Sequence, residues 1–240
     1  GGFCMKRYIN RMVHALHMKS VMCMLLAAGI LLGGIAMVGP AKSGEVDPIV
    51  LALTPHVPIR IDSDTGFNAT NGVTGGNGTV WAPWVIENLD INGTGNSSCI
   101  YIGNTTQHFT IRNCTLHGAN ATGNACGIEL NNADNGSIFN NIITANNKGI
   151  YMSVSSYNSI SNNSIHSNNN CGIDFATSCH HNNIGNNTIS YNGVGVLLWG
   201  SDANDLFFNT IDSNELGIEK DANSITMANN TMLNNSILLG

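Results

Sequence analysis

The second half of the chain repeats a short phrase at a nearly constant interval. Each copy opens with glycine, and most copies continue with isoleucine or valine, one variable residue and an apolar residue. The intervals between successive glycines are 22, 23, 23 and 22 residues, counted over Gly127, Gly149, Gly172, Gly195 and Gly217. A sequence period in the twenties indicates one small structural unit stacked on copies of itself. The repeat therefore constrains the fold before any single residue is considered.

A second phrase, apolar-x-x-Asn-x-apolar, follows each glycine phrase after 10 to 12 residues, as in Ile160–Ile165. Short β-branched segments separated by Asn, Gly and Ser are typical of short strands joined by tight turns. The long apolar stripes of a helical repeat and the consensus of a leucine-rich repeat are absent from the sequence. We therefore predict an all-β fold, a right-handed parallel β-helix of about six coils of 22–23 residues. Equivalent strands of adjacent coils would lie about 4.8 Å apart.

Stacking these coils places asparagines in two columns at the turns. Asn tolerates a left-handed backbone, and its side-chain amide can hydrogen-bond to the amide in the next coil, so each column is predicted to form a ladder. In the first coil, which begins at Cys99, the small thiol of Cys114 takes the ladder position. The first column is Asn141, Asn163, Asn187, Asn209 and Asn230, and the second is Asn146, Asn168, Asn192, Asn214 and Asn235.

Two segments precede the repeats. Residues 1–41 contain an apolar run, Val21–Val38, followed by small residues at a cleavage position, which indicates a signal peptide or, if it is not cleaved, an N-terminal anchor. Residues 42–98 are predicted to form an N-terminal cap and an irregular first coil. Trp81 and Trp84 are expected to cover the end of the core.

The repeats occupy residues 99–240. An insertion at residues 118–125 lengthens the first coil. Another coil opens at Ser236 without a cap after it, so we expect the repeats to continue in a longer protein, because a solenoid end needs cover.

The chain is rich in asparagine and poor in charge. It contains 37 Asn among 240 residues, of which only 10% are charged, and its formal net charge is −6. A negative chain is not expected to bind nucleic acid. Residues 99–240 contain three Lys or Arg against nine acids. This balance argues against a lyase for acidic polysaccharides, which would need cations to bind the substrate carboxylates.

Many asparagines fall in Asn-x-Ser/Thr sequons. If the host glycosylates secreted proteins, some of these sites are expected to be used, and the exported chain would be a glycoprotein. The twelve sequons are at Asn68, Asn77, Asn92, Asn96, Asn104, Asn113, Asn120, Asn135, Asn162, Asn186, Asn229 and Asn234.

Five cysteines follow residue 41, and an odd number excludes a complete disulfide framework. Cys99 and Cys126 lie near one column in adjacent coils and could pair. Cys126 and Cys171 lie two coils apart, at roughly 9.6 Å, which is too far for a disulfide. Buried small thiols are the alternative.

A succession of short motifs precedes the Gly-Ile-x-Leu coils: Pro58–Ile61, Phe67, Asn71–Val73, Gly75–Gly78 and Pro83–Ile86. Together with the coils, over about residues 56–240, this succession resembles the NosD-like β-helix proteins, in particular an archaeal branch of exported surface proteins. The resemblance implies a β-helix of the carbohydrate-binding and sugar-hydrolase type. The founding NosD proteins are periplasmic accessory factors in copper-enzyme maturation. No residue of this chain indicates that it has the same role.

One column on the outside of the predicted β-helix carries acidic and aromatic residues. The residue two positions after each coil glycine points outward, because its neighbours form the buried apolar pair. Glu129 and Asp174 would be roughly 9.6 Å apart, at the upper limit for an inverting glycosidase, but Tyr151 lies between them. The column is interpreted as a glycan-contact face, with Leu197 as its apolar member, formed by Tyr101, Glu129, Tyr151, Asp174 and Glu219.

Candidate metal ligands do not converge in the sequence. His117 and His166 share an outward column but lie two coils apart, too far to hold one ion. Cys179–His181 is a turn tripeptide whose side chains diverge, and no Met or His cluster suits Cu(I). We therefore predict no metal site, no cofactor and no catalytic residue.

The first hypothesis is an exported protein, extracellular, on the cell surface or in a periplasm, that is structural or binds a polysaccharide or envelope glycan without catalysis. It would touch a membrane only through an uncleaved N-terminal segment. One alternative is a carbohydrate-active, glycoside hydrolase-like enzyme that uses the face of Glu129 and Asp174. The other is a copper-maturation accessory protein of the NosD type.

Overall fold

The computed structural model describes residues 52–235, except residue 122 and residues 222–223. The predicted signal peptide or anchor of residues 1–41 lies outside the described residues, and so does the coil expected from Ser236. Two single-turn 3-10 helices occur at Asp64–Gly66 and Ala69–Asn71. No helix in the described part of the chain is long and apolar enough to cross a membrane.

The described residues form 23 short strands, which is the pattern expected of tight turns placed every few residues. The strands are β1 (Thr54–His56), β2 (Ile59–Ile61), β3 (Val73–Gly75), β4 (Trp84–Glu87), β5 (Leu89–Asn92), β6 (Ser98–Thr105), β7 (Phe109–Arg112), β8 (Thr115–His117), β9 (Cys126–Ala133), β10 (Gly136–Phe139), β11 (Ile142–Thr144), β12 (Lys148–Ser153), β13 (Ser159–Ser161), β14 (Ser164–His166), β15 (Cys171–Thr177), β16 (Asn183–Gly185), β17 (Thr188–Ser190), β18 (Val194–Leu198), β19 (Asp205–Phe207), β20 (Thr210–Asp212), β21 (Leu216–Lys220), β22 (Thr226–Ala228) and β23 (Thr231–Leu233).

The strands stack into three sheets. Sheet I contains the glycine phrases and has the order β2-β6-β9-β12-β15-β18-β21. Sheet II has the order β22-β19-β16-β13-β10-β7-β4-β3, and sheet III has the order β1-β5-β8-β11-β14-β17-β20-β23. Neighbouring strands are parallel, with β3 and β4 antiparallel. Each strand pairs with its equivalent one coil away, which is the arrangement of a parallel β-helix.

Each coil contributes one strand to sheet I, one to sheet II and one to sheet III. Six such coils run from β6 to β23, so the prediction of a β-helix of about six coils is confirmed. An irregular coil precedes them, because β2, β4 and β5 pair with the three strands of the first regular coil, β6, β7 and β8. The insertion at residues 118–125 connects β8 to β9.

Three inward columns of aliphatic side chains form the core. In sheet III, for example, Ile143, Ile165 and Ile189 are register partners and have no exposed surface. Full burial of such a side chain stabilises the fold by about 1.5–3 kcal/mol. Because strand side chains alternate, the residues on either side of each buried isoleucine face outward. The core therefore fixes which side chains are available for function.

The predicted asparagine columns lie inside the turns as hydrogen-bonded ladders. Asn163 is 2% exposed, and its Oδ1 accepts from the backbone nitrogen and from Nδ2 of Asn141, both at 3.0 Å. Its own Nδ2 donates to the Ile138 carbonyl oxygen at 2.9 Å and to Asn187 Oδ1 at 3.0 Å. In the first regular coil, the backbone nitrogen of Cys114 donates to Asn141 Oδ1 at 3.0 Å. The second column, which includes Asn168, repeats this pattern between sheets III and I.

A third ladder, absent from the sequence prediction, lies at the turn from sheet I to sheet II. The backbone nitrogen of Asn158 donates to Asn182 Oδ1 at 2.8 Å, and that of Asn182 donates to Asn204 Oδ1 at 2.9 Å. All three side chains are buried. This ladder spans only three coils, and Gly136 takes its place in the coil before. With so few members, its period is weak in the sequence.

The left-handed backbone at these turns belongs to a different residue from the one expected. The residue before each ladder asparagine has the positive φ, as Asn162 (φ 55°), Ser167 (φ 56°) and Tyr157 (φ 58°) show. The ladder asparagines are therefore selected for their hydrogen bonds, not for their tolerance of a left-handed conformation. The side chain before each of them points into solvent and is free to vary.

The N-terminal end of the core is covered by one of the two expected tryptophans. Trp84 stacks on Phe67, with ring centroids 5.8 Å apart. The ring centroids of Phe67 and Phe109 are 6.1 Å apart. Trp81 is 93% exposed, so its predicted role in covering the core is wrong. Buried Phe67, in contact with Trp84 and Phe109, contributes to this end of the core.

Candidate functional site

The expected column of acidic and aromatic residues runs along the outer face of sheet I. Consecutive members are register partners, so the order along the column is Arg60, Tyr101, Glu129, Tyr151, Asp174, Leu197 and Glu219. The column brings together the residues singled out in the sequence and adds Arg60. Their surroundings differ greatly from one coil to the next.

The N-terminal end of the column is closed by a hydrogen-bonded cluster. Tyr101 is only 7% exposed, because the Arg60 guanidinium lies 3.9 Å from its ring centroid. The Tyr101 hydroxyl donates to Asp62 at 3.1 Å, and Asn104 donates to the same oxygen at 3.1 Å. The Tyr101 hydrogen bond is the largest of the causes that lower the pKa of Asp62. Tyr101 therefore supports the structure and does not offer an exposed ring to a ligand.

A buried ion pair lies at the middle of the column. Lys148 Nζ is 2.6 Å from Asp174 Oδ2, and the two side chains are 11% and 5% exposed. The same ammonium donates to Asn124 Oδ1 at 2.9 Å and lies 4.5 Å from the ring centroid of Tyr151. Asp174 is thus not the exposed, solubilising carboxylate that an outward position on a β-helix suggests. Breaking a buried pair of this kind leaves an unpaired charge, which costs about 3–5 kcal/mol.

A cavity of about 230 Å³ opens beside this ion pair. It is bordered by Tyr151 and Leu197 of the column and by Trp199, which is half-exposed. The insertion supplies another wall through Asn124, and the backbone nitrogen of Asn147 anchors that insertion by donating to the Ala119 carbonyl oxygen at 3.2 Å. Apolar, aromatic and hydrogen-bonding groups therefore meet at one place on the outer surface.

Glu129 lies near this cavity but does not line it. It is half-buried and accepts a hydrogen bond from the Ser98 hydroxyl at 3.3 Å. Burial raises the pKa of Glu129. Glu129 and Asp174 belong to coils on either side of Tyr151, so their carboxyl groups do not share one site. The arrangement can bind polar groups, but Asp174, already paired with Lys148, is not a free base.

Sequence reasoning missed Lys148, Asn124 and Trp199. Lys148 immediately precedes a coil glycine and is one of few cations in the repeats, which is a signal that could have been used. Trp199 lies two residues after Leu197, so strand alternation places it on the same face. Nothing in the sequence shows that the insertion carries Asn124 to Lys148.

The described histidines and cysteines do not form a site that fits a metal ion. His117 and His166 are separated in their column by Thr144, whose hydroxyl lies 3.2 Å from His166 Nδ1. His181 stacks on Tyr157, with ring centroids 5.2 Å apart. No group of three His, Cys, Asp or Glu that could hold a metal ion occurs within the described parts of residues 52–235.

The five cysteines of the described residues are all buried and free. Cys126 is the register partner of Ser98, not of Cys99, so the disulfide that the sequence left open does not form. Burial raises the pKa of Cys99 and of Cys171 to about 12. These thiols are therefore protonated at neutral pH, whereas the thiolate is the form that reacts and binds metals.

We expect native Cys99 and Cys171 to resist alkylation by iodoacetamide at pH 8, because both thiols are buried and protonated. The raised pKa of these two thiols also makes the stability of the folded protein depend on pH. Their contribution to stability is complete below the unfolded pKa of about 8.5 and is lost as the pH rises toward 12. Peptide mass spectrometry in buffer and in urea would measure the alkylation. Equal labelling in both would contradict the buried position of these residues.

Comparison with known proteins agrees with this architecture. The family model described as "Periplasmic copper-binding protein (NosD)" matches residues 57–239. The chain belongs to the NosD family. The match covers both the irregular first coil and the regular coils, so the NosD family accounts for nearly all of the described β-helix. A search of curated proteins gave no match.

A solved structure, "Crystal structure of Dettilon tailspike protein (gp208)", is similar to this NosD-family chain, with a TM-score of 0.47 and 19% sequence identity. The similarity covers 63% of this chain and 36% of the tailspike chain, so the chain spans about a third of that protein. Among the described residues, no group of three His, Cys, Asp or Glu could hold the copper of the family description.

Proposed function

We propose that this NosD-family chain is an exported β-helix protein of the cell surface or periplasm that binds a glycan on the outer face of sheet I without catalysis. The observation that carries the proposal is the cavity beside Tyr151 and Trp199. Ligand sites combine apolar and aromatic walls with a few oriented polar groups. Here Asn124, Lys148 and Asp174 supply those polar groups. The family description, which names a periplasmic protein, supports an exported location.

Catalysis is less well supported than binding. A glycosidase needs two carboxyl groups that act on one bond, with one of them free to accept a proton or to attack. Asp174 is held 2.6 Å from Lys148, and Tyr151 separates it from Glu129 in the column. Among the described residues, the half-buried Glu129, whose pKa is raised, is the feature that favours a hydrolase.

The test is binding and hydrolysis of a panel of soluble polysaccharides by the purified chain. We expect saturable heat changes in titration calorimetry with at least one glycan and no release of reducing ends. A Glu129→Gln/Asp174→Asn variant removes both carboxylates that a hydrolase would use, and Asp205→Asn, on the exposed surface of sheet II, is the matched control. Hydrolysis that is lost in the double variant but kept in the control would show that the protein is a glycoside hydrolase and would overturn the proposal.

Copper maturation is the alternative that the family description suggests. Direct copper binding is testable on the same protein by loading with Cu(II), or with Cu(I) under reducing conditions, followed by dialysis and metal analysis. We expect less than one retained copper per chain, because the described thiols are buried and protonated. Stoichiometric retained copper would support the accessory role over glycan binding.

A further inference from the structure

The cavity is built from three successive coils and from Asn124 of the insertion. Asn124 precedes β9, Lys148 begins β12, Asp174 lies in β15 and Trp199 follows β18. With a rise of about 4.8 Å per coil, these four positions span roughly 14 Å along the axis. The insertion forms the wall at one end and the Trp199 ring forms the wall at the other. The cavity is an open depression on the outer face, between Asn124 and Trp199.

The size of the cavity restricts what can enter it. Sites for drug-sized molecules enclose about 300–1,000 Å³. At about 230 Å³, this cavity suits a smaller group, such as a single sugar ring. The remainder of a longer glycan would lie outside it. Trp199, half-exposed, and Tyr151 provide aromatic surface for the apolar face of such a ring.

The charges of the cavity cancel. Lys148 and Asp174 are 2.6 Å apart, so the lysine charge is already balanced by a carboxylate. The ammonium and the Asn124 amide can donate, whereas the carboxylate can only accept, and a sugar hydroxyl can do both. An acidic sugar would instead bring a second carboxylate to Asp174, and like charges this close in a buried site are strongly unfavourable.

We infer that the cavity binds one uncharged sugar ring of a glycan, and that Asp174 determines the preference for uncharged over acidic sugars by neutralising Lys148. This inference rests on the proposed function, since it names the class of glycan that the same face binds. The ring packs against Trp199 and Tyr151, and its hydroxyls bond to Asn124, Lys148 and Asp174. Leu197 and Ala176 complete the apolar wall.

The aromatic contact is tested with Trp199→Ala and its matched control, Trp81→Ala. Both tryptophans are exposed, but Trp81 is far along the chain from the cavity. Titration of the full chain with uncharged oligosaccharides should show a loss of affinity of roughly 5- to 10-fold for Trp199→Ala and no change for Trp81→Ala. Equal affinities for the two variants would overturn the cavity as the binding site while leaving glycan binding elsewhere on the face intact. If no glycan binds the unaltered chain, both the inference and the proposed function fail.

The role of Asp174 is tested by a change in specificity. Asp174→Asn leaves Lys148 as an unpaired cation, so binding of uronic-acid oligosaccharides should improve about tenfold relative to uncharged ones. A Lys148→Met/Asp174→Asn variant removes both charges and should not acquire the preference for acidic sugars. A preference that stays the same in Asp174→Asn would overturn the assignment. If that variant does not fold, the Trp199→Ala comparison still decides whether the cavity binds sugar.

Discussion

Replacing Asn163 with leucine is expected to lower the free energy of unfolding by about 3–6 kcal/mol. Leucine removes the partner of two donors of Asn141 and of the Ile138 carbonyl oxygen. Each buried polar group that loses its partner costs about 1–3 kcal/mol, and this turn is closed to water because Asn163 is only 2% exposed. For a protein of this size, such a loss corresponds to a fall in Tm of roughly 10–20 °C.

The matched control is Asn169→Leu, in the same coil. Asn169 is exposed, and its backbone nitrogen donates to the Asn146 carbonyl oxygen whatever side chain is present. This substitution should change the stability by about 0.5 kcal/mol or less. Thermal unfolding followed by circular dichroism compares the two variants directly. Similar melting temperatures would mean that the Asn163 ladder contributes no stability, contrary to its hydrogen bonds.

Replacing Gly172 with alanine is the second substitution with a large expected effect. The added methyl group would lie 2.7 Å from the Gly195 carbonyl oxygen and 2.7 Å from Ile189 Cγ2. Both distances are too short for real contacts, and a backbone oxygen of the next coil cannot move aside as a flexible side chain can. Overpacking of this kind costs about 1–3 kcal/mol or more, so we expect about 3 kcal/mol.

Gly75, an exposed residue of β3, gives the control. A methyl group added there would meet no atom within 4 Å. Gly75→Ala should therefore change stability by less than about 1 kcal/mol, because the smaller backbone freedom of the unfolded chain is not opposed by a clash. Urea unfolding of both variants measures the difference. A Gly172→Ala protein as stable as Gly75→Ala would show that the coils are less tightly stacked at Gly172 than the contacts require.

The repeat made the fold predictable. The glycine period places Ile128, Ile150 and Ile173 in one column, and sheet I has that register. A sequence period can be recognised because the same short pattern, which is weak in any one coil, recurs in several coils. The third asparagine ladder shows the limit, since its three members give too few repeats to stand out from a chain with 37 asparagines.

The candidate site was less predictable than the fold because it depends on departures from the repeat. The column position of Asp174 follows from the period, but its burial depends on Lys148 and on Asn124, which the insertion brings to it. Tyr101 has the same column position as Tyr151, yet the irregular first coil buries it under Arg60. Sequence spacing gives the column of a side chain, whereas its neighbours from outside the repeat decide its chemistry.

The asparagine ladders give the β-helix a direction. Within each ladder, Oδ1 accepts from the coil before and Nδ2 donates to the coil after, as Asn163 does between Asn141 and Asn187. The amide dipoles therefore align along the axis, and such chains of hydrogen bonds polarise one another. A coil turned end for end would set donors against donors. The ladder hydrogen bonds therefore allow coils of this sequence to join in register only head to tail.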